Sequence, residues 1–313
     1  MARIALLLAA LVALGGLAFR ERRALMVRAF ALTWEDPGLS EPGDEGPGVE
    51  WFDDYYTVQR IDGETFAISE PRFAQQNLNY LILGSTRALL FDTGPGVRDI
   101  RPVVASLTGL PVVAVPSHLH YDHVGGHTLY DQVAVVDLPQ LRERAREGVL
   151  VPTADEHLGF IEGFDPPALN VAEWWPPDGE VELGDRRLQV ILTPGHTPES
   201  ISLFDRKRGQ LFAGDAFYEG ALFAMLPGSS LGDYLRTSET LLERMDEGVA
   251  IYGAHRAGPP GVPVLGRTDV EALRRTLLAI RAGSARGEGY PRVFPVNHRL
   301  TLQTDWAWAA RWD

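Results

Sequence analysis

The stretch Ser117-His118-Leu119-His120-Tyr121-Asp122-His123-Val124-Gly125-Gly126 places three of the chain's eight histidines and an aspartate within six consecutive residues. It follows Pro111–Val115, an apolar run of the kind that forms a buried strand. Extended backbone alternates its side chains, so His118 and His120 share one side at the strand end. Asp122 and His123 lie past the bend, before the turn through Gly125-Gly126, and face a second nearby point. A fold built on this segment must deliver a strand end to a polar site where something binds those side chains. The chain has no cysteine. Disulfides are therefore excluded, and any metal must be held by imidazole and carboxylate, the ligands that bind zinc or iron without thiolate.

Four ligands do not complete two metal shells, and further candidates stand at other strand ends. His196 in Pro194-Gly195-His196-Thr197 follows the strand Arg187–Leu192. Asp215 in Ala213-Gly214-Asp215-Ala216 follows Gln210–Ala213. His255 in Gly253-Ala254-His255 follows Val249–Tyr252. Each sits beside a glycine, as expected for a site assembled on one rim of a sandwich. Asp92-Thr93-Gly94 ends the strand Ala88–Phe91 and would also serve as a plain turn. His127, His157 and His298 have no such setting: His127 reads as a helix-face residue near the site, the other two as loop histidines.

The remaining pattern gives the frame. Strands are expected at Thr65–Ser69, Asn79–Leu83 and Ser200–Asp205, with helices at Val97–Leu107, Leu138–Glu147, Ala154–Ile161 and Leu231–Glu247. Thr268 with Glu271 reads as a capping box for a last helix closed by Gly283. Strands followed by a helix in each half predict an α+β fold, two sheets sandwiched between helices. Residues 36–48, rich in Pro, Gly and acids, read as a linker. It separates an N-terminal segment, 1–35, from a folded body of residues 49–313.

In the N-terminal segment a short basic start and the apolar run Ile4–Phe19 resemble an export signal, with Gly16 and Ala18 as small residues for cleavage; the arginines that follow fit an uncleaved anchor. An exported or membrane-anchored protein is expected on either reading, with membrane association through this segment. The net charge of −13 excludes a nucleic-acid partner, which would need a cationic footprint.

The ordered set Asp92, His118-x-His120-x-Asp122-His123, His196, Asp215 and His255 resembles the metallo-β-lactamase superfamily over roughly residues 50 to 300. The resemblance implies the four-layer αββα metallo-β-lactamase sandwich. It also implies two divalent metal ions, zinc in the first place with iron or manganese as alternatives. His118, His120 and His196 would bind one and Asp122, His123 and His255 the other, with Asp215 bridging and Asp92 bracing the loop from behind. Gly253-Ala254-His255-Arg256 departs from the Gly-His-Gly of many members.

The activity implied is hydrolysis of an acyl bond, thioester or ester, by a bridging hydroxide on the dinuclear site, with Asp122 as the proton carrier and a small acyl compound as substrate. The run from Asp215 to Gly248 resembles the branch that contains acyl-coenzyme A thioesterases. There Tyr218 would donate to the substrate oxyanion; the other reading of Tyr218 is a packing aromatic with its hydroxyl in water. Lactonase or β-lactamase activity is the alternative, followed by an iron-dependent oxygenase of the same superfamily. Phe217, Leu222, Phe223, Met225 and Leu226 would line an acyl groove or form core. The C-terminal Trp306, Trp308 and Trp312 would cover the site or meet a membrane or a second subunit.

Overall fold

Alternation along the strands sorts the apolar side chains of this chain into separate layers. The computed structural model describes residues 15–306 and Trp312. The first half runs through helix α1 (Arg22–Ala31) and strands β1 (Val49–Trp51), β2 (Thr57–Asp62), β3 (Thr65–Ser69), β4 (Leu78–Leu83) and β5 (Ala88–Phe91). It continues through α2 (Arg101–Leu107), β6 (Val112–Val115), α3 (Tyr121–Val124), β7 (Val133–Val136), α4 (Pro139–Arg142), β8 (Val149–Leu150), α5 (Ala154–His157) and β9 (Leu169–Trp175). Its strands form one nine-stranded sheet, ordered β1-β2-β3-β4-β5-β6-β7-β9-β8.

The second half comprises β10 (Glu180–Glu182), β11 (Arg187–Leu192), β12 (Ile201–Asp205), β13 (Gln210–Gly214), β14 (Gly220–Ala224), α6 (Leu231–Arg244), β15 (Ala250–Gly253), α7 (Arg267–Arg281), β16 (Arg292–Pro295) and β17 (Leu300–Thr304). A five-stranded sheet has the order β10-β11-β12-β13-β15, and a three-stranded one the order β14-β17-β16.

The two large sheets face each other. Tyr80, Ile82, Leu89, Phe91, Val113 and Val115 from the first meet Leu188, Val190, Leu203, Phe212 and Tyr252 from the second in one buried cluster. Residues of opposite parity point outward. Leu81 and Leu90 pack with Val103 and Val104 of α2, while Leu211 and Ile251 pack with Leu235 of α6 and Leu273 of α7. Helix, sheet, sheet, helix is therefore the layer order, as the pattern predicts.

Differences from the sequence reading have local causes. The helix expected over 138–147 is only Pro139–Arg142, because the chain turns at Glu147 and Gly148, both at positive φ, into edge strand β8. The one expected over 154–161 breaks at Leu158, φ 59°, into a 3-10 turn at Gly159–Ile161. Helix α7 begins at Arg267. Its cap is the Asp269 carboxylate, which accepts from the Gly266 N–H at 3.0 Å, and Glu271 pairs with Arg267 rather than closing a box with Thr268. The third sheet was not expected. Its strand β14 carries Leu222 and Ala224 into the core while leaving Phe223 half-buried.

Most of the apolar run Ile4–Phe19 lies outside the described residues, as does Trp308. Among the described residues no helix is long and apolar enough to cross a membrane. Beyond that run the chain is laid onto the body. Asp305, buried, accepts from Arg22 at 2.5 Å and from Arg23 at 3.4 Å, and Arg28 pairs with Asp155 at 2.6 Å. Val27 packs in the cluster that holds Leu158 and Tyr121. The acidic stretch 36–48 follows the surface: Ser40 N–H donates to Arg72 O, and the buried Glu45 carboxylate pairs with the buried guanidinium of Arg256.

Removing one partner of a buried ion pair strands the other, a change that costs about 3–5 kcal/mol. Glu45→Gln is therefore expected to lower unfolding free energy by about 3 kcal/mol in urea titrations. A loss below about 0.5 kcal/mol, the range of ordinary surface substitutions, would show that residues 36–48 are not clamped to the body.

Candidate metal centre

The candidate side chains leave strand ends on one rim, apart from Asp122 and His123, which sit on α3 directly after β6. Asp92 follows β5, His118 and His120 follow β6, His196 follows β11, Asp215 follows β13, and His255 follows β15. The glycines beside them permit backbone contact between these ends. A Cβ on Gly253 would lie 2.3 Å from that of Tyr218, and one on Gly214 would lie 2.5 Å from that of Ser117. The rim is also hydrogen-bonded across the sheets: Leu78 N–H donates to Ala254 O at 2.8 Å, and Ala254 N–H to Gly214 O at 3.1 Å.

All seven sequence-predicted ligands converge. His118, His120 and His196 form one group, His118, His123 and Asp215 a second, and Asp122, His123 and His255 a third, each with candidate ligand atoms within 4.8 Å of one another. His120 Nδ1 lies 2.8 Å from His118 Nε2 and 3.0 Å from His196 Nε2. On the other side His123 Nε2 is 3.4 Å from Asp122 Oδ2, and His255 Nε2 is 3.4 Å from the same oxygen. Asp215 stands between: Oδ1 is 3.1 Å from His255 Nε2, and Oδ2 is 3.5 Å from His196 Nε2.

The outward ring nitrogens are held by the protein. His123 Nδ1 lies 3.0 Å from Asp92 Oδ2, whose other oxygen accepts from the Ser117 N–H at 2.6 Å. His196 Nδ1 donates to Phe223 O at 2.9 Å, and His255 Nδ1 to Gln75 O at 2.8 Å. Fixing one nitrogen this way settles the tautomer and aims the other inward.

Burial pushes the His118, His120 and His196 imidazoles below their ordinary range, so they stay neutral, the form that binds a cation. In His123 and His255 burial is overcome by Asp122 and Asp215, which push these imidazoles up. Although buried, the two carboxylates are held below the usual range by the same histidines.

The donor set fits divalent metal ions. His123 Nε2 and Asp215 Oδ1 are buried with no hydrogen-bond partner among the described residues. Asp92, Asp122 and Asp215 are all buried, and among the described residues they form ion pairs with histidines alone. A cation would satisfy both conditions.

Tyr218 is buried beside His255, with ring centroids 5.1 Å apart, and its hydroxyl donates to Ala221 O rather than to water. His127 is fully buried against Thr93 Oγ1 at 2.7 Å, pushed down to about 3 by burial. His157 is also buried, contrary to its reading as a loop histidine, and His298 is exposed. Several supporting residues escaped sequence reasoning. Asn77 Nδ2 donates to Asp122 O at 2.8 Å, Tyr234 OH to Asp215 O at 3.1 Å, and Ser229 Oγ to His196 O at 2.8 Å.

The cluster opens into a cavity of about 850 Å³ that His120, Asp122, His196, Asp215 and His255 line together with many apolar side chains. Trp306 stacks on Tyr290 and Trp312 packs beside α6; neither lines this cavity.

Residues 73–283 match the family model described as the metallo-beta-lactamase superfamily. The chain is 32% identical over 225 residues to the proteins named acyl-coenzyme A thioesterase MBLAC2 of Bos taurus and of Homo sapiens, covering 64% of this chain and 79% of each relative. In three dimensions it is similar to a metallo-beta-lactamase family protein of Thermus thermophilus, with a TM-score of 0.53 and 21% identity over 72% of this chain and 82% of that one.

Behind the site, Glu70 is fully buried and accepts from Tyr55 OH at 2.7 Å and Asn79 Nδ2 at 2.9 Å. Burial pushes its carboxyl up to about 7. In the unfolded chain that proton leaves near pH 4.3 or so. Between the two values the folded state holds the extra proton, so its stability falls as pH rises. In chelator-treated protein, urea unfolding should show the Glu70→Gln variant gaining on the wild type by on the order of 3 kcal/mol between about pH 4 and pH 8. A pH-independent difference would mean that Glu70 is ionised throughout.

Proposed function

Because the chain belongs to the metallo-β-lactamase superfamily and is a metal-dependent hydrolase, we propose that it hydrolyses acyl thioesters at a site for two divalent cations, zinc in the first place. His118, His120 and His196 would hold one cation and Asp122, His123 and His255 the other, with one Asp215 oxygen towards each. Two such ions lower the pKa of a shared water towards neutrality and polarise a substrate carbonyl. The observation that carries the reading is the buried inward pair, His123 Nε2 and Asp215 Oδ1, neither of them hydrogen-bonded among the described residues, with a carboxylate set between two histidine groups. A thioester is favoured by the name of the relatives and by the apolar cavity that the site opens into.

The chain's own residues do the rest. Asp122 lines the cavity and accepts the proton of the attacking water, then returns it to the departing sulfur as the carbon–sulfur bond breaks. Asn77, bonded to its carbonyl and 3.4 Å from Oδ2, holds that carboxylate in place. Tyr218 lines the same cavity, and burial raises its phenol pKa well above the ordinary value, so it remains a donor. By exchanging Ala221 O for the substrate oxygen it would steady the charge that develops there.

Chelator-treated protein is expected to lose hydrolysis of hexanoyl thioester by more than about a thousandfold and to regain it on adding zinc. Full activity in the stripped protein would end the reading. Tyr218→Phe should lower kcat by on the order of 10²-fold with little change in KM, whereas an unchanged kcat would leave Tyr218 a packing residue.

A further inference from the structure

Helix α1 sorts its side chains by chemistry. Arg22, Arg23 and Arg28 are taken up by Asp305 and Asp155. Met26, Val27 and Phe30, at helical spacing on one face, line the cavity with Trp34 just beyond the helix end. The same cavity is lined by Phe223, whose carbonyl holds His196 Nδ1, and by Met225, Leu158, Ile161 and Leu226. An apolar helix face normally seals against its neighbours. Here it stands at the wall of an open space that is continuous with five of the proposed metal ligands.

We propose that α1 and Trp34 form one wall of a binding site for the linear alkyl chain of the acyl substrate, and that Met26 and Phe30 set the chain length accepted. This deepens, and rests on, the reading of the site as an acyl hydrolase. The cavity volume falls within the range of about 300–1,000 Å³ that suits a small ligand. Its charges do not suit an anion. Among the described lining residues Arg256 is the one arginine or lysine, and it is committed to Glu45, while Glu219 is paired with Arg299 and Glu162 is acidic. The apolar wall and the reaction centre belong to one space, so a chain lying along α1 has its carbonyl end at the metal ligands.

Each methylene buried should raise kcat/KM by about fourfold, the equivalent of about 0.8 kcal/mol, until the wall is covered. The test uses the full chain, loaded with zinc, and the acetyl, hexanoyl and decanoyl thioesters of N-acetylcysteamine. Met26→Trp, which fills the space, should lower the ratio of decanoyl to acetyl turnover by more than about tenfold. Phe30→Ala, at a residue 49% exposed and safe for folding, should reduce the gain per methylene.

A second measurement needs no metal: calorimetric titration of chelator-treated protein with 1-butanol and 1-octanol. Octanol should bind more tightly, and Met26→Trp should remove the difference. Equal effects of both variants on all chain lengths, or octanol binding no better than butanol, would overturn the proposal. Preferential octanol binding that Met26→Trp abolishes, in a protein inert to every thioester, would keep the apolar site and refute the hydrolase reading instead.

Discussion

Five imidazoles and two carboxylates face one another at the rim of this protein with their inward atoms shielded from water. Such a concentration of polar groups is unfavourable unless each is satisfied, and two of the inward atoms have no hydrogen-bond partner among the described residues. The rest of the structure is arranged around that constraint. Outward nitrogens are tied to Asp92, Phe223 O and Gln75 O so that inward ones stay available. The backbones of the ligand-bearing turns are pinned in turn by Asn77, Tyr234 and Ser229. A divalent cation supplies the missing charge, and the geometry that awaits it is built by hydrogen bonds outside the ligand set.

The sandwich explains how residues more than a hundred positions apart reach one point. Inward parity of each strand builds the core between the sheets, and the strand ends emerge together where that core stops. Glycine at Gly214 and Gly253 is then a packing requirement, since a side chain there would occupy the space of Ser117 or Tyr218. Arg256, directly after His255, gives the end of β15 a second role. It binds the acidic stretch 36–48 to the rim through Glu45.

That stretch and α1 tie the N-terminal region to the catalytic side of the molecule. By composition residues 36–48 read as a linker and the preceding helix as part of a targeting segment. Both meet the body through pairings that local pattern does not encode, Arg23 with Asp305 across 282 residues and Arg256 with Glu45 across 211. The apolar face of α1 then borders the same cavity as the proposed metal ligands, joining the part of the chain least like an enzyme to the choice of substrate.

The candidate ligands and the layer order were legible in the sequence because both are written locally. A histidine after an apolar strand and beside a glycine is a pattern of a few residues, and strand parity repeats every second position. The helices at 138–147 and 154–161 were overestimated for the same reason, since propensity there is overridden by turns, at Glu147-Gly148 before edge strand β8 and at Leu158. Tyr218 was legible as a residue but not as a bond, because its acceptor, Ala221 O, depends on how β14 leaves the rim. Only the tertiary structure decided which oxygen of Asp215 faces which histidine, that Glu70 is buried with Tyr55 and Asn79, and that α1 lines the cavity. These depend on contacts between distant segments, whose energies no short stretch of sequence contains.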